Sequence, residues 1–112
     1  MLGKNLVNSN KRPLTLVPKG KTGLRRKVQP GTMTAASADD TVATIALDPN
    51  DEFLAWITPA DEAESPEAKF SFSADADLGE GVVTITGEYS CPIVGEAASI
   101  IDPVEGEDVP KA

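Results

Sequence analysis

Ala68-Lys69-Phe70-Ser71-Phe72-Ser73-Ala74 and Val82-Val83-Thr84-Ile85-Thr86-Gly87-Glu88-Tyr89-Ser90-Cys91 are the stretches that decide the fold. In the first, Phe70, Phe72 and Ala74 share one side, and Lys69, Ser71 and Ser73 the other. In the second, Val83, Ile85, Tyr89 and Cys91 oppose Thr84, Thr86, Glu88 and Ser90. Side chains alternate across a strand, so each run predicts an antiparallel strand with one packed and one wet face. On that pattern Phe70, Phe72, Val83 and Ile85 are expected to be buried. Asp75 to Gly81 reads as the turn between the two strands.

Working outward, short β-prone runs recur between Gly, Pro, Asp and Asn. Val42–Leu47 reads VATIAL. Asp48-Pro49-Asn50-Asp51 are four turn formers, and Glu52–Thr58 is expected to pair back as a hairpin. Pro59–Glu67 reads as a polar loop. Thr32–Ala36 is a strand closed by Ser37-Ala38-Asp39-Asp40. Leu24–Val28 is a weak basic strand ended by Pro30-Gly31, and Pro13–Val17 a first short strand. Ala98–Ile101 is a candidate edge strand. No segment carries an i, i+3, i+4, i+7 apolar stripe over ten or more residues, so helix is not expected. Short strands with turns every 8–12 residues suggest an all-β, immunoglobulin-like antiparallel sandwich, with a small barrel as the alternative. The expected organisation is a basic extended arm over 1–12, a sandwich over 13–101 and an acidic solvated tail over 102–112.

The net charge of −8 conceals an asymmetry. Residues 1–28 hold Lys4, Lys11, Arg12, Lys19, Lys21, Arg25, Arg26 and Lys27 and no acid, while all 18 acids lie beyond them. Such an arm seeks something acidic, and such a body repels nucleic acid and anionic membrane. The chain has no histidine and one cysteine, Cys91. The commonest general base, the commonest zinc ligand, an internal disulfide and a cysteine metal cluster are thereby removed. No apolar run approaches the ~20 residues of a membrane span. No apolar stretch follows Lys4, so a signal peptide is not expected.

The candidate sites follow. Asp75-Ala76-Asp77-Leu78-Gly79-Glu80 resembles a calcium loop only superficially. It lacks the further oxygen ligands and the closing bidentate glutamate, so a polar hairpin loop is the plainer reading. The acid pairs Asp39/Asp40 and Asp51/Glu52 and the cluster Asp61/Glu62/Glu64 sit in turns without an orienting partner, which argues against acid–base catalysis. Cys91 reads as a buried small hydrophobe. No catalysis, cofactor or metal is expected. Trp56 shares a strand face with Leu54, while Phe53, Ala55 and Ile57 share the other. Both faces are apolar, so periodicity leaves open whether Trp56 is a core residue or an exposed anchor for a protein contact. The eight arm cations are the candidate partner-binding residues, together with Trp56. The arm has no aromatic residue for base stacking and no helical periodicity for groove entry. An acidic protein surface, including the body of another copy, is therefore expected ahead of nucleic acid.

The blocks Ser37-Ala38-Asp39-Asp40-Thr41-Val42-Ala43-Thr44-Ile45 and Val82-Val83-Thr84-Ile85-Thr86-Gly87 resemble strands of bacterial immunoglobulin-like domains of the group-2 type. Physically, the first block is an Asx-type turn feeding a β-branched strand. The run Ala74–Gly81, with Val94-Gly95-Glu96-Ala97, is similar to small one-domain virion proteins of tailed bacteriophages. The resemblance covers about half of the chain and does not extend to the basic arm. It implies a structural subunit made in the host cytoplasm and carried in the virion. The expected role is capsid decoration or cementing, with the major capsid protein or a neighbouring structural protein as partner. A bacterial adhesion or surface module is the alternative. An acidic nucleic-acid mimic is a further one, which the basic arm argues against.

Overall fold

The computed structural model describes residues 2–19, 23, 27–77, 82–98 and 101–111. Among these the regular structure is all β: β1 (Leu6–Val7), β2 (Arg12–Thr15), β3 (Thr34–Ser37), β4 (Ala43–Asp48), β5 (Asp51–Pro59), β6 (Ser65–Asp77) and β7 (Val82–Val94). They form two sheets, one in the order β1-β7-β6-β3 and one in the order β2-β5-β4. Every pairing is antiparallel except β1 on β7. Leu6, Ala68, Phe70, Cys91 and Ile93 of the first sheet and Ala43 and Ile57 of the second make one buried cluster, edged by Leu14, Val42, Ile45, Phe72 and Tyr89. The two sheets thus face each other across a shared core, a sandwich-like arrangement.

The local devices are those the turn chemistry dictates. Between β3 and β4, Asp39 Oδ1 accepts from the Thr41 backbone N–H at 3.0 Å, and the Ser37 hydroxyl donates to the Ala43 carbonyl at 2.7 Å. The Thr41 hydroxyl also donates to Asp39 Oδ1, and the two Thr41 bonds, the hydroxyl's first, close the Asx turn and hold Asp39 below the usual carboxylate range. The β4–β5 hairpin turns over Asp48–Asp51, with a register shift between Leu47 and Asp48. Gly31 after Pro30 has φ of 77°, a conformation that favours glycine. Pro13 lies on β2, an edge strand, where a missing donor is tolerated. Pro66 sits where the β6–β7 ladder shifts register, between Ser65 and Ala68.

Several expectations are corrected. β6 starts at Ser65 and runs to Asp77, so the preceding loop is shorter than Pro59–Glu67 and Asp75 lies in a strand, not a turn. The Thr84 hydroxyl donates to Asp75 Oδ1 at 3.0 Å across the ladder. Phe70 is buried, but Phe72 and Ile85 are only partly covered and Val83 is 47% exposed. At the Val83 end the inward side of β7 is thus more exposed than that of β6, where Ala74 and Ala76 are buried. Of the expected strand Leu24–Val28, residues 24–26 lie outside the described residues, and Lys27 and Val28 are not in a strand. Of Ala98–Ile101, residues 99 and 100 lie outside them, and Ala98 and Ile101 are not in a strand; nor are 78–81 of the acidic loop described.

The largest correction concerns residues 1–12. They are not a free arm. Leu6 is 4% exposed and belongs to the core cluster. Leu6 and Val7 pair with Ile93 and Val94, and Leu2 bridges Ser90. The Gly3 N–H donates to the Ser90 carbonyl at 2.6 Å, and Gly3 lies where the Tyr89 ring leaves no room for a side chain. The short Leu6-Val7 pair in a polar basic stretch gives no periodic signal, and its partner strand is β7, distant in the sequence.

Candidate docking surface

The fork at Trp56 is decided by its neighbours on β5. Ala55 and Ile57 are fully buried and Pro59 is buried, so Trp56 belongs to the outward face with Leu54 and Thr58. Across the sheet it is flanked by Pro13 of β2 and Ala46 of β4. The ring is half-buried and held on two sides. Its indole N–H donates to Asp48 Oδ2 at 3.2 Å, and the Lys11 ammonium lies 4.7 Å from the ring centroid. Asp48 Oδ1 in turn accepts from the Asn50 backbone N–H at 2.8 Å. That bond, followed by the indole bond, holds the Asp48 carboxyl below its ordinary range. The result is an aromatic platform fixed by a hairpin carboxylate and capped by a cation, with its orientation set in advance.

The eight cations separate into three groups. Lys4, Lys11, Lys19 and Lys27 are exposed. Arg12 is turned inward. Its guanidinium donates to the Lys4 carbonyl at 2.7 Å, the Asn5 carbonyl at 2.8 Å and the Tyr89 hydroxyl at 2.9 Å, joining β2, the N-terminal segment and β7. Within the chain Arg12 is thus an internal tie. Lys21, Arg25 and Arg26 lie outside the described residues. Among the described residues the one ion pair is Lys69–Glu67 at 3.7 Å, so the four exposed lysines have no carboxylate within 4.0 Å there. The Arg12 bond to the Lys4 carbonyl ties the backbone there to β2, next in sequence to Lys11.

Cys91 is fully buried next to this tie. Burial pushes its thiol up, opposed by the nearby Arg12 charge and the Tyr89 hydrogen bond. The expectation of a buried small hydrophobe fits that position.

Sequence reasoning missed the Asp48–Trp56 bond and the Arg12–Tyr89 link. Simple counting back from the Asp48–Asp51 turn sets Trp56 against the wrong residue of β4. The register shift at Leu47/Asp48 brings Ala46 opposite it instead. Compared with protein-family models, curated proteins and solved structures, the chain matches none.

Proposed function

We propose that this chain is a non-catalytic immunoglobulin-like module serving as a structural virion subunit of a tailed bacteriophage. It decorates or cements the capsid by docking on an acidic surface of a neighbouring virion protein. The strand order supports the fold half of this reading. β5 lies between β2 and β4, and β6 lies between β3 and β7, as strand E lies between B and D and strand F between C and G in immunoglobulin sandwiches. The observation that carries the docking half is exposed Lys11 over a fixed Trp56, with exposed Lys4 joined through its carbonyl to Arg12, the residue after Lys11, on a chain of net charge −8. A rigid aromatic anchor with adjacent cations suits a protein contact, where charge steers encounter and the ring supplies buried area.

The test is binding to particles stripped of the subunit. Removal of residues 1–12 is unsuitable, because it takes Leu6 out of the core. Lys4→Glu with Lys11→Glu reverses the charge without touching a buried residue. The double variant should keep the wild-type β circular dichroism and lose occupancy, and added salt should weaken wild-type attachment. Salt-independent attachment that is unchanged by the two substitutions would overturn the docking reading.

A further inference from the structure

Among the described residues the outer edge of β7 is paired at one end only. β1 covers Ile93 and Val94, Leu2 and Gly3 reach Ser90, and among the described residues no strand pairs with Val82–Glu88 from that side. The direction of the free groups follows from the bonds made elsewhere. The Ser90 and Val94 carbonyls accept from Gly3 and Asn8, so the even-numbered residues of β7 aim their backbone outward. The β6–β7 register is unbroken from Ala68↔Cys91 to Asp77↔Val82. Thr84, Thr86 and Glu88 therefore aim N–H and C=O away from β6, along an edge that no described strand covers. No Pro or Lys interrupts Val82–Glu88, although such residues commonly blunt an edge.

We propose that this edge is a strand-addition surface for a second copy of the same chain, joined antiparallel about a two-fold axis at Ile85. The free window is self-complementary about that residue. Thr84 of one copy meets Thr86 of the other, a favourable cross-strand pair, and Ile85 meets Ile85. Val83, 47% exposed, meets Gly87, beside which a side chain would find nothing within 4 Å. The apolar excess at one position thus fills the bare strip at the other. The two Glu88 carboxylates fall at opposite ends of the new pair, roughly 20 Å apart at about 3.4 Å per residue, so like charges do not oppose. This register also stops short of Ser90, leaving the N-terminal segment in place. The inference concerns a surface other than Trp56 and its lysines, and its contact is backbone pairing, not charge.

The experiment is sedimentation velocity over a concentration series, with hydrogen exchange at low and high concentration. The wild-type chain should shift from monomer to dimer, and the amides of Thr84, Thr86 and Glu88 should become protected in the dimer. Added salt should not dissociate it, which separates this contact from lysine-mediated docking. Thr86→Pro removes an outward N–H and spares the β6 ladder. It should stay monomeric with the wild-type circular dichroism. Val83→Lys places a charge on the edge and should also stay monomeric. A wild-type chain that remains monomeric at its highest soluble concentration would overturn the proposal. So would a dimer that forms unchanged in both variants, or one that leaves those three amides unprotected.

Discussion

The hairpin of β6 and β7 is one continuous ladder, yet its two ends have different surroundings. At one end Phe70, Cys91 and Ile93 are sealed under Ala43 and Ile57 of the facing sheet. At the other, Ala74 and Ala76 on β6 are buried, while Val83 on β7 is half exposed and the space beside Gly87 is open. The β6 side is flanked by the chain before β3, where the Gln29 N–H donates to the Asp75 carbonyl at 2.8 Å. The β7 side has no such neighbour among the described residues. The alternation of side chains is the same at both ends. Periodicity says which face a residue occupies; whether anything lies over that face depends on the reach of the other sheet.

The sharpest way to break this contrast is to truncate the same ladder at both ends. Phe70→Ala should destabilise by about 3–5 kcal/mol and Ile57→Ala by about 2–5 kcal/mol, whereas Val83→Ala should stay within about 0.5 kcal/mol. Phe72→Ala should fall between these, because its ring is only partly covered. Denaturant unfolding measures all four, and equal losses at Phe70 and Val83 would mean that the ends do not differ.

A second comparison sets the N-terminal segment against a free arm. Leu6→Ala should cost about 2 kcal/mol, at the low end of buried leucine truncations because β1 is short. Arg12→Lys keeps the charge but loses the fork that holds two carbonyls and Tyr89, and should cost roughly 1–2 kcal/mol. It should also speed hydrogen exchange at Gly3. A variant as stable as wild type, with unchanged exchange, would restore the free-arm description.

The mildest effects belong to the outward face. Asp39 and Asp48 both have folded pKa values below the unfolded one. Their contribution to stability is therefore present above the unfolded value, near 3.9, and lost as pH falls through the folded one. Thermal unfolding from pH 6 down to 2 should show a decline that Asp48→Asn reduces. Trp56→Phe removes the indole donor and should cost roughly 0.5–1 kcal/mol. Lys11→Met should alter the Trp56 emission without unfolding the chain; an unaltered spectrum would show that the ammonium does not sit over the ring.

The strands legible in the sequence are those with local partners. The hairpin through Asp48–Asp51 and the alternating runs around Phe70 and Ile85 carry both pattern and turn chemistry in adjacent residues. Leu6 was illegible because a two-residue apolar run, Leu6-Val7, among Asn, Lys and Ser has no period, and its partner strand β7 is distant in the sequence. The half-exposure of Val83 was illegible because it reflects missing cover. Trp56 was found as a candidate, but its face was fixed only by the burial of Ala55 and Ile57. Arg12 was grouped with the free cations because charge is visible in a sequence, whereas the three oxygens that receive its guanidinium are brought together by the fold.

The parallel pairing of β1 with β7 has a consequence for timing. Leu6 leaves the ribosome well before Ile93, its partner. Until β7 is made β1 has nothing to pair with, and the core lacks Cys91 and Ile93. The loop that must close runs from Leu6 to Ile93, so this contact forms late and slowly compared with the β4–β5 hairpin. Until then Leu6 stays in water among lysines and asparagines, a setting that keeps a waiting segment soluble.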